Sequence, residues 1–154
     1  TYPDFKSLAA ARRSDVEKII KSTGFYRVKA ANIIALSRAV MERFGGSLPG
    51  SAQELMELPG VGKKSANVIL SVGMGKPALA VDTHVSRIAG RLGYTDSSNP
   101  LVIEKDLCGI IPEQDWKKAH LLFIKHGRAT CTARNPLCGR CKISRWCRYS
   151  NASA

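Results

Sequence analysis

The side chains in this chain that could do chemistry gather in three short stretches. The first is Leu58-Pro59-Gly60-Val61-Gly62-Lys63-Lys64-Ser65-Ala66-Asn67. Glycine needs no room for a Cβ, so a turn built on Gly60 and Gly62 can face backbone N–H groups outward. Joined to the positive end of a following helix, such groups form a phosphate-sized anion site, with Lys63 and Lys64 at its edge. A tight helix–helix turn with solvated lysines fits these residues as well, and only context separates the two readings.

The second stretch holds Cys131, Cys138, Cys141 and Cys147, spaced Cys-x6-Cys-x2-Cys-x5-Cys within 17 residues. Four thiolates so close in sequence can surround one compact centre, a cubane iron–sulfur cluster or a structural zinc. All-cysteine zinc sites more often pair two short knuckles; this loop has one, which favours a [4Fe-4S] cluster. With no export signal in the chain, ligation also outweighs disulfides. From Gly127 to Ala154 there are six Arg and Lys residues and no Asp or Glu. Arg128, Arg134, Arg140, Lys142, Arg145 and Arg148 can offset thiolate charge, reach phosphate, or form a solvated charge run. Arg134, at a turn between the first two ligands, is the candidate phosphate contact. The third stretch is Val81-Asp82-Thr83-His84, where Asp82 or Thr83 can cap a helix.

The elements that must position these stretches read as helices almost throughout. Ser14-Asp15-Val16-Glu17 has the form of a capping box opening a helix that Gly24 ends. Apolar residues at helical spacing continue from about Val28 to Phe44, stopped by Gly45-Gly46. Ser51-Ala52-Gln53-Glu54 is a second capping box before Pro59-Gly60, and Lys64 to Val72 forms the next helix. Gly73-Met74-Gly75-Lys76-Pro77 is the strongest breaker and the candidate domain boundary, dividing the chain into 1–76 and 77–154. Ala78 to Val81 makes a short apolar approach to Asp82, whose helix runs to Leu92. Asn99-Pro100 begins another helix, and Gln114 to His126 forms the last long one.

Lys and Arg total 24 against 12 Asp and Glu, a net charge of +12. That excess points to a polyanionic partner, nucleic acid before a membrane surface. No apolar run has the length of a spanning helix, and no leader pattern opens the chain. The expectation is an intracellular protein, in the cytoplasm or nucleoid if the source is prokaryotic. At 154 residues there is room for one domain or two small ones.

Hairpin, Val81-Asp82-Thr83-His84 and cysteine loop, in this order, resemble the helix-hairpin-helix DNA glycosylases, most closely the endonuclease III group. The match includes Leu58-Pro59-Gly60-Val61-Gly62, the lysine at 64 and every interval of the cysteine loop, and runs from Tyr2 to about Tyr149. The resemblance implies an all-α protein of two lobes, a helical lobe with the hairpin and a cluster lobe, with double-stranded DNA carrying a damaged base or abasic site in the cleft between. It makes Lys64 and Asp82 the catalytic pair. Leu58, Gly60, Gly62, Lys63, His84 and Arg134 become DNA contacts, and the four cysteines become cluster ligands.

On that reading the Lys64 amine attacks the sugar C1′, forms a Schiff base and prepares β-elimination of the 3′ phosphate. Unperturbed lysine titrates near 10.4, so about one amine in a few thousand is neutral at pH 7. Lys63 and the positive helix end favour depression, and burial under a nucleotide would add to it. Asp82 stabilises an oxocarbenium-like sugar and relays protons, a role compatible with capping. His84 reads alternatively as a satisfied structural histidine, and Ser65 as helix surface. Lysine at 64, where single-function relatives carry serine or tyrosine, implies a bifunctional glycosylase and abasic-site lyase acting on oxidised or ring-saturated pyrimidines. The alternatives are a monofunctional glycosylase using water and a duplex-binding module without turnover.

The sequence departs from the group at its start, which lacks the further helices that complete the helical lobe and part of the cluster lobe. A monomer is expected unless a second chain supplies them. Ile33, Ile34, Val40 and Phe44 are then expected to leave apolar surface uncovered.

Overall fold

The computed structural model describes residues 1–152, so the last two residues of the lobe expected at 77–154 lie outside the described residues. No strand occurs among the described residues, in keeping with the all-α expectation. Two compact units divide at Ala66/Asn67, upstream of the Gly73–Pro77 breaker.

In the first unit, α1 (Phe5–Ala9) is opened by a capping box in which Ser7 N donates to Asp4 Oδ1 at 2.8 Å. α2 (Arg13–Ile19) corrects the box expected at Ser14. Arg12 is its N-cap without a side-chain bond, because a guanidinium has no acceptor for the first N–H groups, and Glu17 pairs with Arg13 at 2.8 Å. The helix ends at Ile19, before Gly24.

α3 (Tyr26–Phe44) starts after a left-handed Phe25 and stops at a left-handed Gly45, where φ of +60° suits glycine. Its buried face meets α1 and α2 through Ala11, Val16, Ala30 and Ile34, with Tyr2, Leu8 and Ile20 packed alongside. Of the residues expected to leave apolar surface uncovered, Ile34 and Val40 are buried, while Ile33 and Phe44 are half-buried. The larger exposure falls on Val28 of the same helix and on Phe25 and Ile19. α4 (Ala52–Met56) has the expected Ser51 cap, its Oγ accepting from Glu54 N at 3.2 Å.

α5 (Lys63–Val68) carries the chain into the second unit and widens into a π turn over Ile69–Gly73. There Met74 N reaches back to Ile69 O at 3.0 Å, and Ser71 Oγ donates to Asn67 O at 2.8 Å. The next residues, Ala78 to Val81, are all buried without forming helix or strand. α6 (Thr83–Leu92), α7 (Pro100–Ile110) and α8 (Trp116–Ala129) follow, with Asn99 capping α7 through Leu101 N at 2.9 Å. Leu79, Val81, Val85, Ala89, Ile103 and Leu107 make the core of this unit, edged by Cys108, Ile111, Trp116 and Phe123. Each fully buried Leu, Ile or Val contributes about 1.5–3 kcal/mol. Two 3-10 turns, Cys138–Arg140 and Ser144–Trp146, lead to α9 (Arg148–Ala152).

Candidate functional site

The hairpin owes its shape to Gly60. Its φ is +76°, and a Cβ there would stand 2.7–2.9 Å from the Asn32 side chain, so both backbone and space require glycine. Gly62 has neither constraint; what it offers is open space beside an exposed backbone. Not every N–H faces outward, since Val61 N donates to Leu58 O at 3.1 Å, closing the turn. Leu58 is 2% exposed, so its side chain belongs to the core and is not available for the surface contact expected of it. Lys63 is half-buried and Lys64 exposed, both in the first turn of α5.

In the second unit the cap before α6 is Asp82, not Thr83. Its Oδ1 accepts from His84 N and Val85 N, each at 2.9 Å, leaving Oδ2 outside the cap. The buried segment leading to Asp82 is tied down by two side chains. Asn67 Nδ2 donates to Leu79 O at 2.9 Å, and the His120 ring bonds Ala80 O through Nδ1 at 2.8 Å. His84 turns its Nδ1 to Arg87 Nη2 at 3.1 Å and lies against Gly127, where a Cβ would come within 2.6 Å of that nitrogen. This face of the ring is committed to structure; only its other edge remains for a ligand.

Arg87 and Arg91, four apart on α6, knit this helix to the cysteine loop. Arg87 donates through Nε and Nη2 to Cys131 O at 3.1 and 3.0 Å, and through Nη2 to Gly127 O at 3.1 Å. Arg91 Nη1 reaches Cys131 Sγ at 3.2 Å and Thr132 O at 2.7 Å; its Nη2 reaches Ala133 O at 2.9 Å. The same guanidinium sits 4.7 Å over the Tyr149 ring. Held this way, and by Thr132 Oγ to Asn135 O at 2.6 Å, the loop presents an exposed Arg134. Two other arginines are engaged away from the thiols: Arg148 with Asp96 at 2.7 Å, and Arg145 3.7 Å over the Trp146 ring.

Cys131, Cys138, Cys141 and Cys147 all line one apolar hollow together with Ile88, Leu92 and His126. Among the described residues no three Cys, His, Asp or Glu converge as they would on a single ion. Four thiols lining one apolar hollow can supply the four thiolates that a cubane takes, one for each iron. His126 Nε2 lies 3.8 Å from Cys141 Sγ. Burial pushes the His126 pKa below its usual 6.5, so the ring stays neutral beside the loop at pH 7. Arg91 thus brings a positive charge to the Cys131 sulfur.

The sequence reading passed over Arg87, Arg91, Asn67, His120 and His126. Arg87 and Arg91 carry a signal, a four-residue spacing on the helix that Asp82 opens. Asn67 and His120 had none, because each serves a carbonyl distant in sequence.

The HhH-GPD superfamily of base excision DNA repair proteins matches residues 1–113. The iron–sulfur binding domain of endonuclease III matches residues 131–147. The chain is 46% identical over 153 residues to an endonuclease III of Synechocystis sp., spanning 99% of this chain and 70% of that protein. It is 43% identical over 148 residues to an endonuclease III of Thermotoga maritima, spanning 96% and 70%. Among solved structures, a trapped endonuclease III–DNA covalent intermediate superposes with a TM-score of 0.93 at 40% identity, over 99% of this chain and 72% of that one.

Proposed function

The chain belongs to the HhH-GPD superfamily of base excision DNA repair proteins, in the endonuclease III group, and we propose that Lys64 and Asp82 carry its chemistry. It is a bifunctional DNA glycosylase and abasic-site lyase of base excision repair, and it carries a [4Fe-4S] cluster. The observation that supports the assignment best is the exposed amine of Lys64 in the first turn of α5, directly behind the Gly60 turn.

In the proposed reaction the neutral amine attacks C1′ of the nucleotide and the glycosidic bond breaks, with the base leaving as its conjugate acid. Opening of the sugar at O4′ then gives a protonated Schiff base on Lys64. Loss of a C2′ proton expels the 3′ phosphate by β-elimination. Asp82, anchored through Oδ1, offers Oδ2 to the positive charge developing on the sugar and to the protons in transit. The base must leave the stack to react, which costs a few kcal/mol and least for a damaged pair. That favours oxidised or ring-saturated pyrimidines in duplex DNA as substrates.

Cys131, Cys138, Cys141 and Cys147 are the proposed ligands of the cluster, whose contribution is to shape the loop. Gly60, Gly62 and Lys63 at the hairpin, the outer edge of His84, and Arg134 are the proposed backbone contacts. The lobes are assigned to 1–76 and 77–154, and the chain is assigned an intracellular place and a monomeric state. Among the described residues no helix is long and apolar enough to cross a membrane.

Borohydride trapping on a duplex with one abasic site tests the nucleophile without guessing the damaged base. A covalent adduct is expected from this chain and none from Lys64→Ala. Absence of adduct from cluster-loaded protein that still binds the duplex would turn the assignment toward water-using chemistry or simple binding.

A further inference from the structure

Asp82 projects from a segment that no helix or sheet holds. Ala78, Leu79, Ala80 and Val81 are buried, so their carbonyls have no water to turn to and must find partners within the protein. Two consecutive carbonyls are served by side chains from different elements, Leu79 O by Asn67 of α5 and Ala80 O by His120 of α8. Both side chains are 3% exposed, so neither reaches solvent for a role of its own. Asn67 is itself steadied by Ser71, whose hydroxyl donates to the Asn67 carbonyl at 2.8 Å. Apolar packing alone would let these peptide planes rock, whereas two directional bonds fix them two and three residues ahead of the carboxylate.

We propose that Asn67 and His120 are positioning residues for Asp82, clamping the Leu79 and Ala80 carbonyls so that the carboxylate meets the sugar in one place. The inference rests on the catalytic reading of Asp82. Neither residue touches substrate; each acts through the backbone of the segment. A displacement near 1 Å at a reacting group can cost about a hundredfold in rate, so loss of the clamp should lower base excision without weakening DNA binding.

The test compares His120→Asn, which keeps an amide donor near the place of Nδ1, with His120→Gln, which moves it to the place of Nε2. Asn67→Leu and Asp82→Asn complete the set. All are studied as cluster-loaded full chains, checked by visible absorbance and by affinity for a duplex with a reduced abasic site. Single-turnover excision of a ring-saturated pyrimidine should fall about 30- to 100-fold in His120→Gln and Asn67→Leu. It should return to within a few-fold of the parent in His120→Asn, at unchanged affinity in all three. Equal rates in the two His120 variants, or losses that follow affinity or cluster content, would overturn the clamp. If Asp82→Asn excises at the full rate, the catalytic reading of Asp82 fails instead. If it is inactive while His120→Gln and Asn67→Leu keep the parent rate, only the clamp fails.

Discussion

Around the Gly60 turn the chain buries Leu55, Leu58, Val61 and Ala66, while from Arg128 to Ala152 no residue is buried at all. Both regions are short, rich in Arg or Lys, and assigned to meet the DNA backbone. The hairpin can be held by apolar contacts because helices flank it on both sides. The cysteine loop has only 3-10 turns and too few apolar side chains to exclude water, so directional bonds take over: the Arg87 and Arg91 guanidinia to backbone carbonyls, and the thiolates proposed as cluster ligands. The difference teaches that a loop without a core can be as well defined as one with it, but its stability then depends on a cofactor and a few charged groups.

The largest effect should come from Cys138→Ser. Loss of the visible absorbance of the cluster should be accompanied by hydrogen exchange through residues 131–147, while amides of the hairpin keep their protection. Equal loosening in both regions would break the contrast. Gly60→Ala attacks the other side of it. The left-handed φ and the clash with Asn32 should together cost about 2–4 kcal/mol, read as a fall in Tm with the cluster absorbance retained. Adding Asn32→Gly, which also removes the Asn32 Cβ standing 2.8 Å from the new methyl, should recover the part due to the clash and leave the part due to φ.

Arg91→Ala sharpens the role of charge within the loop. Loss of bonds to a sulfur and two carbonyls should cost about 1–3 kcal/mol, measured as faster bleaching of the cluster by a chelator and weaker duplex binding. The smallest effect belongs to α1. Bonds from the Ser7 backbone and hydroxyl hold the Asp4 pKa below its usual 3.8. Its stabilisation is therefore fully present above 3.8 and lost as the pH falls through the lowered value. Asp4→Ala should remove that acid-side slope from a scan of Tm against pH, leaving exchange in both compared regions unchanged.

What was legible in the sequence were features with local causes. Gly45 after an apolar helix, Pro100 behind Asn99 and a cap at Asp82 or Thr83 all act within a few residues; the structure agrees with the first two and selects Asp82 for the third. Ser14 misled because a capping-box pattern does not reveal that Glu17 has a better partner in Arg13. The π turn at Ile69–Gly73 left no mark, since its residues suit an α-helix equally well. Leu58 is a DNA contact by its place in the motif, yet its side chain is 2% exposed, which the motif alone does not reveal. The buried Asn67 and His120 escaped notice because their partners are main-chain carbonyls, and those have no signature in sequence.

The close approach of Gly127 to His84 constrains the order in which this protein can change. A methyl group at 127 would fall 2.6 Å from the ring nitrogen and 3.1 Å from the Cβ of His84, and rotating the ring away relieves only the first. A side chain at 127 therefore asks first for loss of the ring at 84, with small shifts of the 84 Cβ and of Arg87 Nη2, 3.0 Å away, and restoring the ring afterwards becomes deleterious. The two positions form a ratchet: whichever lineage first shortens residue 84 gains freedom at 127 and loses the path back.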